Sequence, residues 1–313
     1  MGDKNDELLK IGQEIRDIIT ESQKRMELSF VEDTHTYFIK DRHGNITTKF
    51  PSVSTVIGQF YEPFPDLNKS YQMCDGDLLE QDELLKAWRA TADYANSKGS
   101  RVHYLLEMDL LKQYGSYKEV RKPIFDCDEQ QTIDGNNMID AGHDFIRLMH
   151  RRGAVLLDTE MVLGSSELEY TGQPDKVWLM FDKDGNIGFI ITDWKTNKAK
   201  NFEIQKWTVP MNEPFEKHMD TALAHYKIQL PLYGRLILDM LKGTKYEKIR
   251  FLGCVIVHLT AERAFREIRV EQDFIDTVLT MDPLPRIKEV LDYKYLQIDR
   301  EVKRKLLVEN LNK

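Results

Sequence analysis

Cysteine is scarce in this chain, with three in 313 residues: Cys74, Cys127 and Cys254. They lie far apart and lack metal-ligand spacing, so a disulfide framework, a zinc site and an iron–sulfur cluster are not expected. A reducing compartment, the cytoplasm, follows as the expectation. Long apolar runs are also missing. The best, Phe251 to Val257, is far too short to span a bilayer. The opening Met1-Gly-Asp-Lys-Asn-Asp-Glu is too acidic for a signal peptide. No G-x-x-x-x-G-K-[ST] occurs, so no nucleotide is expected as cofactor. There is no excess of positive charge; the net charge is −8. Nucleic acid is therefore not advertised by the whole-chain field, although local basic strips matter more than the sum. Repeats and low-complexity tracts are absent.

What is present is an ordinary globular composition, 41% hydrophobic and 31% charged. It is enough to bury a substantial core. Leu8, Leu9, Ile11, Ile15, Ile18 and Ile19 share one helical face, which predicts a packing helix over 5–26. Leu28 to Phe50 reads as a hairpin turning at His43-Gly44-Asn45. Pro51-Ser-Val-Ser-Thr55 opens a short helix with Ser or Thr55 as cap. Residues 61–80 read as loop-rich, a helix follows from about Glu80 to Leu111, and 114–137 read as a polar inserted loop or small excursion. Asn136 to Arg152 is helical, and Val155 to Leu163 a strand. Asp220 to Leu241 is an amphipathic helix with a kink at Pro231. Arg250 to His258 and Phe265 to Val270 are strands, and the tail from Asp273 is helical. Helices flanking a mixed sheet define an α/β or α+β protein. The division expected is an N-terminal helix (1–27), a main domain (28–270) and a helical extension (271–313).

The stretch that carries chemistry is Gly172-Gln-Pro-Asp175 followed by Thr192-Asp193-Trp194-Lys195. Between the acids, Val177, Leu179 and Phe181, then Ile187, Phe189 and Ile191, are spaced as strands around Asp184-Gly185, a strong hairpin signal. A two-residue loop pairs position 175 with 194; a slightly wider one pairs it with 193. Directly opposed residues have Cβ atoms ~5 Å apart on one face, and Asp193 and Lys195 share a face by strand alternation. The open end of the hairpin thus gathers two carboxylates and an ammonium. Hard oxygen ligands suit Mg²⁺ or Mn²⁺, and a lysine beside such an ion can orient water or steady charge on a phosphate. The plain alternative is two surface acids with a salt-bridged lysine.

Other patterns stand around it. Gly99, His103 and Glu107 are four apart, so they fall on one helix face. A helical glycine costs ~1 kcal/mol relative to alanine, which points to something approaching closely there. The competing reading is a buried histidine bonded to its neighbour. Glu160 lies in an otherwise apolar strand, facing either solvent or a site. Gln229 and Tyr233, also four apart, face one side of the later helix, with Tyr226 close by; a core stripe is the alternative. Lys198, Lys200, Lys206 and Trp207 fall in one long connection. They could track a phosphate backbone and stack a base, or form a solvated loop with one anchoring tryptophan.

In order and spacing these motifs resemble the PD-(D/E)XK nuclease superfamily, within it the RecB-like branch of phage and mitochondrial genome-maintenance exonucleases. Gly99, His103 and Glu107 match a helical G-x-x-x-H-x-x-x-E. Glu160 matches an acid on the first core strand. Gly172 and Asp175, Asp193 and Lys195, and Gln229 and Tyr233 match G-x-x-D, D-x-K and Q-x-x-x-Y. His35 and Tyr37, and Pro51-Ser-Val-Ser54, also match patterns of the phage and mitochondrial members. The resemblance covers about residues 28–258. It implies a restriction-endonuclease-like α/β core and a Mg²⁺- or Mn²⁺-dependent phosphodiesterase acting at single-stranded or duplex DNA ends. The implied metal ligands are His103, Asp175, Asp193 and the Trp194 carbonyl. Lys195, Asp175, Asp193 and Glu160 become catalytic, while Gln229, Tyr233, Glu107, Lys198 and Trp207 support the site or the substrate. With no motor and no cluster-binding cysteines, the chain is most similar to stand-alone phage-type exonucleases, working in the host cytoplasm if phage-encoded. A structure-specific endonuclease on the same core and a silent DNA-binding or assembly protein are the alternatives. No membrane partner is expected.

Overall fold

The structure is a computed structural model that describes residues 2–31, 36–47, 50–114 and 123–311. In chain order the described elements are α1 (Gly2–Arg25), β1 (Ser29–Val31), β2 (Thr36–Lys40), β3 (Ile46–Thr47), α2 (Val53–Ile57), α3 (Asp66–Met73), α4 (Leu78–Gln113) and α5 (Glu129–Arg151). There follow β4 (Val155–Thr159), β5 (Leu163–Ser165), β6 (Tyr170–Gly172), β7 (Lys176–Phe181) and β8 (Ile187–Lys195). The chain ends with α6 (Ala222–Met240), β9 (Arg250–Thr260), β10 (Ala264–Arg269), α7 (Gln272–Thr280) and α8 (Ile287–Leu311). The protein is mixed α/β, with eight α-helices among the described residues.

The main sheet runs β10-β9-β8-β7-β4. Its pairs are antiparallel except β8 with β9, which are parallel and joined through α6. A parallel pair needs such a crossover. Both faces of the sheet are covered. On one side Val177, Leu179, Phe189 and Ile191 pack with Leu8, Ile15 and Ile19 of α1, Val56 of α2, Ile228 and Leu236 of α6 and Phe274 of α7. On the other, Trp178 and Trp194 pack with Val102, Leu106 and Leu110 of α4 and with Phe145 and Met149 of α5. The period of two along β7 therefore sends alternate side chains into separate cores. Helix α1 shares the first of these cores.

The structure corrects several expectations. The hairpin turning at His43-Gly44-Asn45 is present as β2 and β3, and β1 adds a third short strand paired with β2. The expected loop at 61–80 contains α3. Within the expected insertion over 114–137, residues 129–137 are helix. Asp128 caps α5 through a reciprocal pair with Gln131, so the helix begins seven residues before Asn136. Positions 115–122 of that stretch lie outside the described residues. Pro231 lies inside α6, which runs on past it. The strand expected over 155–163 is two strands, because Glu160 adopts φ +45°, a conformation uncommon for a residue with a side chain. Its N–H donates to the Asp175 carbonyl (3.1 Å), and its carbonyl accepts from Gln173 Nε2 (3.1 Å). Those two bonds bend the chain at the end of β4.

Candidate active site

The β7–β8 hairpin sets the geometry. Phe181 pairs with Ile187 and Lys176 with Thr192, leaving a five-residue loop. The loop is wide because the Asp182 carboxylate accepts the N–H groups of Asp184 (2.9 Å) and Asn186 (2.8 Å). Gly185 supplies the positive φ that the turn needs. One step beyond the Lys176–Thr192 pair, this register sets Asp175 across from Asp193. The open end of the hairpin lies beneath α4. There His103 Nδ1 is 3.2 Å from Asp175 Oδ2, and the Trp194 N–H donates to the same oxygen at 2.9 Å. Lys195 Nζ meets Asp193 Oδ2 at 2.5 Å and sits 4.1 Å from the Tyr226 ring centre. The Tyr226 hydroxyl donates to Asn197 Oδ1 (3.2 Å), and the Asn197 carbonyl accepts from His258 Nε2 (2.7 Å). The start of the 196–221 connection is thereby tied to β9.

Gly99 stands where α4 meets this connection. A Cβ there would lie 3.0 Å from Thr196 Oγ1, so the helical glycine marks a close approach. Glu107, one turn beyond His103, is buried and accepts from Thr159 Oγ1 (3.3 Å). Glu160 sits at the bend after β4 rather than on the strand. Gln229 Nε2 donates to the Tyr233 hydroxyl (2.9 Å), and the Tyr233 ring fills the space a side chain at Gly172 would need. The ring beneath Lys195 belongs to Tyr226, not to Tyr233. His35 lies outside the described residues.

A cleft of about 710 Å³ opens onto this cluster, lined by Tyr94, Lys98, Gly99, His103, Lys195, Thr196, Lys198, Asn201 and Tyr226 among others. Asp193, only 3% exposed, lies behind its wall. A second cleft of about 540 Å³ shares Asn201 and holds Lys200 and Trp207. The Trp207 side chain is 78% exposed, so it is not a core anchor. Lys198 thus borders the first cleft and Trp207 the second.

The cluster perturbs its own charges. Burial, and then the charge of Asp175, push the Asp193 carboxyl up to about 6, against the pull of Lys195. Burial also opposes ionisation of Asp175, but His103, Lys176, Lys195 and the Trp194 N–H outweigh it and hold that carboxyl at about 2. His103 is pushed down to about 4, chiefly by burial, with Lys176 and Lys195 adding to it and Asp175 opposing. At neutral pH its imidazole is therefore uncharged, the form that ligates metals. The ring also bonds the Trp194 backbone in the sense that favours its protonated form, as donation to a carbonyl does. Lys195 is raised, the Asp193 and Asp175 charges outweighing its burial.

Lys176 is the residue that the sequence reading missed. It is 2% exposed, 3.7 Å from Asp175 Oδ2 and 4.3 Å from the Trp194 ring centre. Burial lowers its pKa, while Asp175, Glu160, Asp193 and Glu107 all act to raise it. A lysine inside the apolar run after Asp175 was the available signal. Asn197 is the other addition, while Tyr226, named beside Gln229 and Tyr233 in the sequence, takes the place under Lys195.

No protein-family model matches the chain, and no curated protein matches it. Among the described residues, no three His, Cys, Asp or Glu side chains stand as a ready-made metal cage. Asp175 is engaged by His103 and the Trp194 N–H, and Asp193 faces Lys195. The chemistry of the donors nevertheless suits a hard divalent ion. Asp193 Oδ2 is buried without a hydrogen bond of acceptable geometry, and Asp175 and Asp193 repel one another across the hairpin. A neutral imidazole with one N–H stands between a carboxylate and the Trp194 backbone. A cation at that point would relieve the repulsion and use the imidazole lone pair. No helix among the described residues is long and apolar enough to cross a membrane.

Proposed function

We propose that the chain is a metal-dependent DNA exonuclease on a PD-(D/E)XK core of the RecB-like type, acting inside the cell. The observation that carries this reading is the convergence of Asp175, Asp193, Lys195 and His103 at one hairpin end, beside an open cleft of about 710 Å³. Asp175, Asp193, the His103 imidazole and the Trp194 carbonyl would hold Mg²⁺ or Mn²⁺. The imidazole slightly favours Mn²⁺. Such an ion supplies Lewis acidity and a water of lowered pKa.

The chain's own residues do the rest. Lys195, seated on Tyr226, donates to a phosphate oxygen or the attacking water as charge develops. Glu160 orients water from the bend after β4. Gln229 and Tyr233 brace the loop that delivers Asp175. Lys98 and Lys198 meet the phosphate backbone along the cleft, and Trp207 offers an exposed ring for a base.

The test uses purified protein with end-labelled single-stranded, duplex and closed circular DNA, each with Mg²⁺, Mn²⁺ or chelator. Linear DNA should be lost from its ends in the presence of metal, and circles should persist. Asp193→Asn and Lys195→Ala should each lower cleavage at least ~10²-fold while remaining folded, since each is asked to supply several kcal/mol of transition-state stabilisation. Near-wild-type cleavage by either folded variant removes the mechanism. Fragmentation of circles moves the assignment to an endonuclease, and absence of metal-dependent degradation leaves a binding or assembly protein.

A further inference from the structure

We propose that the chain self-associates through α8, two copies laying their outer helix faces together antiparallel as a two-fold dimer. This interface is independent of the chemistry in the cleft.

Helix α8 is held firmly, yet it turns an apolar side to water. Gln59 clamps the turn that leads into it, donating to the Pro283 carbonyl (2.9 Å) and accepting from the Arg286 N–H (2.8 Å). Lys294 donates to Thr55 Oγ1 (2.9 Å). Further along, buried Arg304 pairs with Asp82 of α4 at 2.8 Å, and Glu301 pairs with Arg89 of the same helix. On the side turned away from Arg304, Tyr295, Ile298, Val302 and Leu306 are exposed by 70, 61, 52 and 55%, and half-buried Leu291 precedes them. Steps of four, three, four and four residues keep these five on one stripe, close to the seam spacing of a coiled coil. A fixed apolar stripe of this kind marks an interaction site.

The order of residues along the stripe selects a second copy as its occupant. A two-fold interface must be complementary to itself. Positions 295 and 302 are equally far from a centre between 298 and 299, and so are 291 and 306. An antiparallel copy centred there sets Tyr295 on Val302, Leu291 on Leu306 and Ile298 against its own equivalent. The ends of the stripe agree, since exposed Lys288 and Glu309 are equidistant from the same centre and opposite in charge. Apart from Lys294, which is bonded to Thr55, exposed acids gather between them in the first half of the helix, at Glu289, Asp292 and Asp299. Exposed bases gather in the second half, at Arg300, Lys303 and Lys305. An antiparallel pair lays each acidic half along a basic one, whereas a parallel pair sets like against like. Five side chains at roughly 100 Å² each give about 1,000 Å² over two copies, the size at which specific interfaces begin.

Sedimentation velocity of the full chain from about 1 to about 200 µM, the range in which an interface of minimal size associates, tests this. The wild type should pass from monomer to dimer across that range. Val302→Glu and, separately, Ile298→Asp place like charges on the seam and should each weaken association at least ~10-fold. Their circular dichroism and melting temperature should match wild type, because both side chains are exposed. Mixing Tyr295→Cys chains with Val302→Cys chains under oxidising conditions should give a 295–302 bridge between chains, read by peptide mass spectrometry. A 295–295 bridge should be absent, since an antiparallel pair sets those positions about 10 Å apart along the helix, too far for a disulfide. A chain still monomeric at about 200 µM overturns the inference and leaves the stripe to a different protein. A stoichiometry other than two, a dimer indifferent to both charged substitutions, or a 295–295 bridge overturns it equally.

Discussion

Substituting Gly172 by alanine should destabilise the protein by about 1–2 kcal/mol and disturb the site without touching a charged residue. Gly172 is the last residue of β6 and pairs with Leu163. A Cβ built on it lies 2.6 Å from Tyr233 Cε1, 2.9 Å from Tyr233 Cδ1 and 2.8 Å from Val53 Cγ2. Both neighbours are buried, and a phenol ring is rigid, so relief requires the ring or the backbone to move. Overpacking of this kind costs about 1–3 kcal/mol. Losing the flexibility of glycine in the unfolded chain returns about 0.4–1 kcal/mol, so the middle of the two ranges leaves a net cost of about 1–2 kcal/mol. Urea denaturation followed by circular dichroism should show a lowered midpoint with an unchanged slope. The same substitution made on Tyr233→Leu, where the ring atoms are gone, should cost less, and a double-mutant cycle should return a coupling of at least ~0.5 kcal/mol. Gly172→Ala as stable as wild type, or additive with Tyr233→Leu, would refute the packing argument.

His103→Ala should raise the Mn²⁺ needed for half-maximal cleavage at least ~10-fold, while metal-free stability falls by less than ~1 kcal/mol, since Asp175 retains the Trp194 N–H and Lys176. An unchanged Mn²⁺ midpoint with a lowered melting temperature retires the ligand assignment. Asp182 is held at about 2 although burial opposes its ionisation, because the Asn186 and Asp184 N–H groups and Arg250 favour its charge. A carboxyl lowered in the folded state stabilises above its ordinary pKa and loses that contribution as pH falls towards the folded value. Between about pH 4 and pH 2 the melting temperature of Asp182→Asn should accordingly fall less steeply than wild type, and parallel slopes would contradict the role given to the turn. Trp207→Ala should leave the melting temperature unchanged and weaken binding of a single-stranded oligonucleotide about 5- to 100-fold, the range for one lost base stack. Unaltered affinity would place Trp207 outside the DNA path.

Much of the central hairpin was legible because its signals are local. The alternation of apolar residues and Asp184-Gly185 gave the strands and the turn, and the wider of two registers is the one adopted. What settled the register was the Asp182 carboxylate collecting two turn N–H groups, a bond pattern that residue type alone does not specify. The start of α5 was missed for a related reason. Gly135 and Asn136 suggest a loop, yet both lie inside α5, whose start is set by the Asp128–Gln131 cap, and Arg101 Nη1 comes within 2.9 Å of where a Cβ at Gly135 would be. Short α3 follows Pro65 in a region rich in turn residues, and its packing on α4 is a tertiary contact. The bend at Glu160 depends on hydrogen bonds to Asp175 and Gln173, and the surroundings of buried Lys176 include Glu107, 69 positions away. Neither leaves a periodic trace.

The spacing of the helical motif acquires a physical meaning from these contacts. His103 reaches Asp175 only if α4 lies at the right height above the hairpin end. Two close approaches fix that height. At Gly99 a methyl group would already press on Thr196 Oγ1 at 3.0 Å. At Gly142 of α5 it would stand 2.6 Å from Leu106 Cδ1 of α4. The first holds the helix to the chain leaving β8, and the second holds α4 against the helix that shares its core. One turn separates Gly99 from His103, and another separates His103 from Glu107. The glycine thus acts as a spacer, the imidazole is set beside Asp175, and the glutamate is carried on to Thr159 at the end of β4. A single helix face therefore connects the strand on one side of Lys176 with the acids on the other. The three residues belong together because the distance between helix and sheet, rather than any one of their bonds, determines whether the cluster forms.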